Sequence, residues 1–207
     1  MMAVSSRNLI IVTGTPGVGK TAISRLLAKA IHGTHIDCGK LALRRKLTKG
    51  YDRQDQSYII DETRLARELW EIVRASRSHV VLEGHIVSRV VGLNPSIVFV
   101  LRCHPKLLVG RLRRKKYRAK KIAENIAAEI LDVCLKEAVE SYGADKTVEL
   151  DVTHKSQRQV ASMMLRILNG KAKLKRGHID WIRRLERERG LLNVLTYITS
   201  SADTIVG

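Results

Sequence analysis

Five apolar runs along the chain predict buried β-strands. They cover residues 8–13, 34–37, 79–83, 96–101 and 147–152. The first run is apolar almost throughout, as is typical of a parallel strand covered on both faces. Segments between the runs carry apolar residues at spacings of three and four, which predicts amphipathic helices. Strand and helix patterns therefore alternate along the chain.

Two helical patterns and one irregular stretch lie between these predicted strands. A helix is predicted to begin at Pro105, which suits a first helical turn. Apolar residues from Ile122 to Val139 lie on one face and predict a single long helix over residues 118–142. Residues 38–60 are the least regular part of the chain.

Between the first strand and the first helix the chain reads GTPGVGKT, from Gly14 to Thr21. This is the pattern of a phosphate-binding loop in its diagnostic context of strand, loop and helix. Glycines let several backbone N–H groups point inward, and the helix N-terminus adds partial positive charge. We expect Lys20 to reach the β- and γ-phosphates of ATP and the Thr21 hydroxyl to ligate Mg²⁺.

A carboxylate and a histidine follow the third predicted strand. Glu83 ends the strand, and Gly84 and His85 come next. A carboxylate at this end of a parallel sheet can hold Mg²⁺ or orient a nucleophile. The alternatives are a strand-end charge for Glu83 and a structural histidine for His85.

Basic residues cluster in two further places. Residues 102–121 include ten lysines and arginines, and Arg111 and Arg114 share a helical face that could close over a polyphosphate. A second basic run, Arg44-Arg45-Lys46, lies in the irregular stretch, where we expect an acceptor substrate to dock. A solvated basic surface is the alternative in both places.

Composition adds a strong charge imbalance to this picture. The 207 residues include 38 Lys and Arg against 20 Asp and Glu, a formal net charge of +18. Such an excess favours polyanionic partners, meaning nucleotides and RNA. The basic C-terminal tail contains Trp181, which either packs the tail on the body or contacts RNA. We therefore divide the chain into a P-loop domain, 1–170, and a basic tail, 171–207.

Cysteines and hydropathy bear on the compartment. The chain has three cysteines, Cys38, Cys103 and Cys134, without a C-x-x-C pair, which fits a reducing cytoplasm. No signal peptide and no apolar run of about 18 residues is visible, so we expect no membrane association.

Several motifs in order resemble one family. They are the loop GTPGVGKT, Glu83-Gly84-His85, Val100-Leu101-Arg102, KIAENI over residues 121–126, and EAVESY over residues 137–142. Together they resemble adenylate kinase isoenzyme 6, in its archaeal branch. The loop is common to many NTPases, whereas the acidic-x-His triplet with the Lys-Ile-x-Glu-Asn run is more specific.

The resemblance implies a three-layer α/β fold of the P-loop NTPase and nucleoside monophosphate kinase type, with five parallel strands. It implies ATP and AMP as substrates, ADP as product, Mg²⁺, ATPase activity, and a small-subunit platform ribosomal protein and rRNA as partners. Carried over by position, the acceptor region is 37–60 and the lid 114–124. The candidate site residues are Gly14, Gly17, Gly19, Lys20, Thr21, Ala22, Arg111, Arg114 and Lys115 for ATP; Asp37, Arg44 and Arg45 for the acceptor; Thr21 and Glu83 for the metal; and Lys20, Glu83 and His85 for catalysis.

One departure and two alternatives remain. The family's lid usually reads Arg-Gly-Tyr, whereas this chain has Lys115-Lys116-Tyr117. Lysine keeps the charge and loses the two-pronged hydrogen bonding of arginine. One alternative is an ATP-switched ribosome-assembly factor with incidental kinase activity. The other is a small-metabolite kinase on the same fold.

Overall fold

The computed structural model describes residues 9–53, 57–90, 92–172, 177 and 179–203. In chain order the elements are β1 (Leu9–Thr13), α1 (Lys20–Ala30), β2 (Thr34–Asp37), α2 (Cys38–Arg44), β3 (Thr48–Asp52), β4 (Ser57–Ile60), α3 (Glu62–Ala75), β5 (Val80–Glu83), a 3₁₀ turn (Ile86–Arg89), β6 (Ile97–Arg102), α4 (Pro105–Arg114), α5 (Ala119–Ile130), α6 (Val133–Tyr142), β7 (Thr147–Asp151), α7 (Gln157–Leu168), α8 (Trp181–Arg187) and α9 (Leu191–Asp203).

The main sheet has five parallel strands in the order β2-β5-β1-β6-β7. Strand β1 lies at the centre, where Ile10 pairs with Val81 of β5 and with Ile97 of β6. The predicted α/β fold with a five-stranded parallel sheet is confirmed. Because all five strands run the same way, their carboxyl ends meet at one edge, where ligands bind in open α/β sheets.

Helices cover both faces of this sheet, as the apolar character of β1 requires. Ile10 and Val12 pack on one side with apolar residues of α1, α4, α5 and α7. Leu9 and Ile11 pack on the other side with residues of α2, α3 and α6. Because both faces of β1 are buried, its carboxyl end, where the phosphate loop begins, is held in one position.

The single helix predicted over 118–142 is wrong, because the chain breaks into α5 and α6. Asp132 lies between them in the left-handed region, with φ of 59°. Aspartate tolerates that conformation better than most residues. Its carboxylate also forms an ion pair with the Arg102 guanidinium, which holds the break in place.

Residues 38–60, the least regular part of the sequence, contain α2 and a small antiparallel hairpin, β3–β4. Both hairpin strands are largely exposed, so they lack the apolar alternation that marks a half-buried strand. Tyr51 pairs with Tyr58 across the hairpin, and their rings meet edge to face at 5.0 Å. The hairpin is separate from the main sheet and lies within residues 37–60, the predicted acceptor region.

The C-terminal helices α8 and α9 contact the body of the fold. Trp181 is fully buried, and α9 packs against α5. Lys173, Lys175 and Arg176 of the predicted basic tail lie outside the described residues, and the division at residue 170 stays a prediction. Within the part of the chain that the structure describes, no helix is both long and apolar enough to cross a membrane.

Candidate active site at the phosphate loop

The loop between β1 and α1 has the backbone that a phosphate cradle needs. Gly14, Gly17 and Gly19 all have positive φ, and Gly14 also lies against the neighbouring strand. A Cβ added at Gly14 would come within 2.4 Å of the Leu101 carbonyl oxygen. Only glycine fits there, so the sequence pattern follows directly from the close approach of the loop to β6.

Lys20 begins α1 and turns its side chain back into the loop. Its Nζ donates hydrogen bonds to the carbonyl oxygens of Gly14, at 2.7 Å, and Thr15, at 3.2 Å. Burial lowers the pKa of the Lys20 ammonium, while the nearby Cys134 and Glu83 act in the opposite direction. The loop thus holds a partly desolvated cation at the place where phosphates are expected.

Glu83 and Thr21 meet at the edge of the sheet. The Thr21 hydroxyl donates to Glu83 Oε1 at 2.6 Å, and Glu83 is the register neighbour of Asp37 on β2. Burial raises the pKa of the Glu83 carboxyl, the Thr21 hydrogen bond lowers it, and the Asp37 charge raises it again. Two carboxylates and a hydroxyl therefore face one another beside the loop.

His35 stands behind this group on β2. Its Nε2 lies 3.8 Å from Glu83 Oε1. Burial lowers the pKa of the His35 imidazole, and the positive charge of Arg25 lowers it further. A neutral imidazole leaves the charge balance of the site to Glu83, Asp37 and Lys20.

A cavity of about 1060 Å³ opens above the loop. Its lining brings together many of the residues that the sequence predicted to bind ATP, metal or acceptor or to act in catalysis. They are Gly17, Gly19, Lys20, Thr21, Ala22, Asp37, Glu83, His85, Arg111, Arg114 and Lys115. Arg111 also donates to the Val18 carbonyl oxygen at 3.4 Å, so this arginine lies directly against the loop.

A second cavity of about 1070 Å³ adjoins the first. The residues that line both cavities are Pro16, Gly39, His85, Ile86, Lys115 and Tyr117. The remaining walls come from the hairpin, the lid turn and the helices, and include Leu43, Tyr58, Ile60, Lys121, Asn125, Cys134 and Glu137. The loop and His85 thus stand at the junction of two spaces.

The predicted acceptor residues are placed differently from one another. Asp37 lines the first cavity beside Glu83, and its Oδ1 accepts from the Lys40 backbone N–H at the start of α2. Neither Arg44 nor Arg45 is among the described residues that line either cavity. Arg45 Nε instead lies 3.2 Å from Glu68 Oε1 of α3. A basic run signals charge in a sequence but not the direction in which it points.

The predicted lid, 114–124, consists of a turn and the first part of α5. Helix α4 ends at Arg114 and α5 begins at Ala119. Lys116, in the turn, has φ of 59°, the left-handed conformation that favours glycine. The family pattern has glycine at this position, so the chain keeps the backbone shape while carrying a lysine.

Several lining residues were missed by sequence reasoning. Lys155, Ser156, Gln157 and Arg158, after β7, line the first cavity. Their position at the carboxyl end of a parallel strand was a usable signal. Tyr58, Asn125 and Cys134 of the second cavity had no such signal, since their elements meet only through tertiary packing.

Comparisons with known proteins agree with this geometry. A family model described as "AAA domain" matches residues 10–132. A protein of Methanocaldococcus jannaschii named "Putative adenylate kinase" is 38% identical over 172 residues, which are 83% of this chain and 92% of the relative. A protein of the same name from Saccharolobus solfataricus is 39% identical over 174 residues, or 84% and 87% of the two chains.

Solved structures extend the likeness of fold. The tunicamycin resistance protein of Deinococcus radiodurans matches with a TM-score of 0.55 at 19% identity, over 81% of this chain and 98% of that one. Shikimate kinase from Acinetobacter baumannii, in complex with shikimate, matches with a TM-score of 0.54 at 20% identity, over 80% and 96%. At such identities the likeness concerns the fold alone.

Proposed function

This chain belongs to the archaeal adenylate kinase family and carries the AAA domain over residues 10–132, and from there we propose that it transfers the γ-phosphate of Mg·ATP to AMP, releasing ADP. The observation that carries the proposal is the pair of adjoining cavities that share Pro16, His85 and Lys115. Direct transfer requires donor and acceptor phosphates side by side, because positioning supplies much of the rate.

The first cavity suits the donor. Backbone N–H groups of the loop and the Lys20 ammonium offer contacts to the β- and γ-phosphates. Arg111 and Arg114 of α4 line the same cavity, and a guanidinium can bind two phosphate oxygens at once. These cations act where negative charge is shared among the transferring oxygens, which is the main source of catalysis in phosphoryl transfer.

The residues at the sheet edge fit Mg²⁺. Magnesium prefers oxygen ligands and is usually held by one or two carboxylates together with substrate phosphates. Glu83, Asp37 and the Thr21 hydroxyl provide such oxygens, and the mutual repulsion of the two carboxylates favours a cation near them. When bound, the metal would neutralise charge on the phosphates. Glu83 and Thr21 would hold or orient it.

The second cavity suits a nucleoside monophosphate. Leu43, Tyr58 and Ile60 form an apolar and aromatic wall against which a base can stack. Lysines of the lid turn and of α5 line the other side and match a phosphate. AMP is the acceptor that we propose. Water reaching the γ-phosphate in place of AMP would give the ATPase activity, with His85 at the junction to orient the attacking oxygen.

A coupled assay for ADP tests the proposal. We expect turnover with ATP plus AMP to exceed turnover with ATP alone, and Lys20→Ala to remove both activities. Shikimate and gluconate are the comparison acceptors, since a shikimate kinase shares the fold. If a metabolite is phosphorylated and AMP is not, the protein is a small-metabolite kinase instead.

Charge favours a second candidate function, an ATP-switched factor in the assembly of the small ribosomal subunit in the cytoplasm. ATP carries only a few negative charges, whereas the chain has a net charge of +18. Lysines and arginines from Arg113 to Arg118 are exposed on the lid turn, where phosphate-backbone contacts could form. The proposed partners are a platform ribosomal protein and nearby rRNA.

Pull-downs from lysate of the source organism test this second function. Binding through phosphate contacts releases counterions, so recovery of ribosomal components should fall steeply between low and high salt. It should also differ between ATP and ADP if hydrolysis acts as the switch. Recovery of no ribosomal component at low salt would leave a kinase without this partner.

A further inference from the structure

A buried carboxylate behind the phosphate loop receives hydrogen bonds from three distant parts of the chain. Glu129, on α5, is about 1% exposed. Its Oε2 accepts from the Thr15 hydroxyl at 2.5 Å, and its Oε1 accepts from the Trp181 indole Nε1–H at 2.8 Å. Arg102 Nε, at 2.9 Å, and the Cys103 backbone N–H, at 3.1 Å, also donate to Oε1.

Thr15 connects this carboxylate with the lysine of the loop. The Thr15 hydroxyl points to Glu129, while the Thr15 carbonyl oxygen accepts from Lys20 Nζ at 3.2 Å. Thr15 is therefore held by Glu129 through its hydroxyl and contacts the Lys20 ammonium through its carbonyl oxygen. A rotation of Thr15 would change the position of both the loop backbone and the ammonium.

Trp181 reaches the carboxylate from the C-terminal helices. It is the first residue of α8 and is about 1% exposed, with its ring edge to face with His104 at 5.5 Å. A buried tryptophan needs a partner for its N–H, and here that partner is Glu129. Two hydrogen bonds thus join α8 to the phosphate loop, one on each oxygen of Glu129.

We infer that Glu129 and Trp181 are positioning residues of the nucleotide site, and that the C-terminal helices are part of the machinery that sets the phosphate loop. Trp181 orients the Glu129 carboxylate, which fixes Thr15 and with it the loop around Lys20. The inference rests on the proposed function in one respect, namely that the loop binds ATP. A tryptophan that only fills space would need its ring but not its N–H.

The test therefore removes hydrogen-bonding groups and keeps shape. Thr15→Val lacks the hydroxyl and Thr15→Ser retains it. Trp181→Phe keeps an aromatic ring without the N–H. Trp70→Phe is the matched control, because Trp70 is the other tryptophan of the chain and lies on α3, with the Arg74 guanidinium over its ring.

Two measurements separate this inference from the proposed reaction. Calorimetry with a non-hydrolysable ATP analogue reports loop geometry without any acceptor, and the ADP assay gives kcat and the KM for AMP. We expect Thr15→Val and Trp181→Phe each to weaken analogue binding about five- to tenfold and to lower kcat about tenfold. The KM for AMP should stay near that of the wild type, as should all values for Trp70→Phe. Thr15→Ser, which keeps the hydroxyl, should restore most of the analogue affinity and kcat that Thr15→Val loses.

The double variant Thr15→Val/Trp181→Phe decides whether the two residues act along one path. If they do, its loss should be close to that of the worse single variant, because groups in one hydrogen-bond network are not additive. Losses that multiply, or a folded Trp181→Phe protein with wild-type analogue affinity and kcat, would overturn the inference.

Two further outcomes are also decisive. If Trp181→Phe does not fold, a Thr15→Val protein that binds the analogue as tightly as Thr15→Ser overturns the inference, and one several-fold weaker supports it. If the wild type makes no ADP from AMP, the proposed function fails, while the analogue titrations still test the loop.

Discussion

The two cavities that meet at the phosphate loop are built by different means. The proposed donor side is made of backbone and of partly buried polar groups that hydrogen-bond to one another or to the loop, such as Thr21 to Glu83 and Lys20 to the loop carbonyls. The proposed acceptor side is made of side chains from the hairpin, the lid turn, α5 and α6, many of them exposed, such as Tyr58 and Tyr117. The first arrangement fixes one geometry, and the second leaves room for different acceptors.

This difference indicates where specificity can change. A loop that needs glycine against Leu101 and a lysine inside it tolerates few substitutions, so the phosphate donor is set by the fold. The acceptor wall depends on single side chains that can be exchanged without rebuilding the sheet. Substitutions on the donor side should therefore lower kcat strongly, whereas those on the acceptor side should change the affinity for the acceptor.

The largest effect is expected at Lys20. Lys20→Ala should lower turnover about 10³-fold, because it removes the cation that contacts the transferring phosphate in a partly desolvated loop. The ADP assay measures the loss of turnover, and circular dichroism checks that the variant is folded. Lys29→Ala, an exposed position on the same helix, is the control and should retain wild-type rates. Equal rates in the two variants would contradict the donor assignment.

Glu83→Gln should lower kcat about 10- to 100-fold with little change in nucleotide affinity, as is typical when a group that orients a metal is replaced. The amide can still accept from Thr21 but supplies no negative charge to a cation. Initial rates at saturating ATP and a range of Mg²⁺ concentrations measure the effect. A variant with a wild-type kcat and Mg²⁺ dependence would leave Glu83 without the proposed role.

The raised pKa of Glu83 predicts how stability and turnover depend on pH. The folded pKa of Glu83 is raised above its unfolded value, so the folded state binds the proton more tightly and loses stability as pH rises between the two values. At neutral pH the carboxylate therefore destabilises the fold. Glu83→Gln should raise the free energy of unfolding there by about 1 kcal/mol, and Tm with it. Below the unfolded pKa the difference should vanish. As the pH is lowered, turnover of the wild type should begin to fall at a higher pH than it would if Glu83 had the ordinary pKa of a glutamate.

His85→Ala should lower kcat about tenfold, the equivalent of about 1.4 kcal/mol in the barrier. His85 lines both cavities, so it is placed to act on the group in transfer rather than on ATP alone. Analogue titration should give a near wild-type affinity. A normal kcat with normal affinity would assign His85 a structural role.

On the acceptor side, Tyr58→Ala should raise the KM for AMP about five- to tenfold while the KM for ATP stays constant. Stacking on a base contributes about 1–3 kcal/mol, and the exposure of Tyr58 places it at the low end of that range. Arg44→Ala is the comparison, because Arg44 lies outside the described lining of both cavities. If Arg44→Ala has the larger effect on AMP, the hairpin wall is not the acceptor site.

The smallest effect concerns the lid turn. Lys116→Gly should leave stability unchanged or raise it by up to about 1 kcal/mol, because glycine adopts φ of 59° without a Cβ penalty. Lys115→Gly is the control at a negative φ and should be destabilising. Urea unfolding of both variants measures the difference. A destabilised Lys116→Gly protein would show that the lysine side chain contributes more than its backbone costs.

How much of this site could be predicted depends on the same division. Gly14, Lys20 and Thr21 could be found because phosphate binding demands them at fixed spacing, and Glu83 because parallel strands end at one edge. Thr15 and Glu129 are 114 positions apart and meet only in the folded chain. The hairpin could not be predicted, since Gly50 interrupts β3, and β4 has only four residues, whose apolar side chains are largely exposed. The basic run Arg44-Arg45 does not line either described cavity, and Arg45 forms an ion pair with Glu68 of α3.

The order of strands has a consequence for synthesis on the ribosome. Strand β1 is made first, yet its partners Val80 and Ile97 follow about 70 to 90 positions later. At usual rates of translation the apolar strand waits on the order of 10 s before both of its edges can pair. Glu129 and Trp181 emerge later still, so a nascent chain completes its nucleotide site only when almost all of it has been translated. Until then β1 is a stretch that nascent-chain chaperones can be expected to cover.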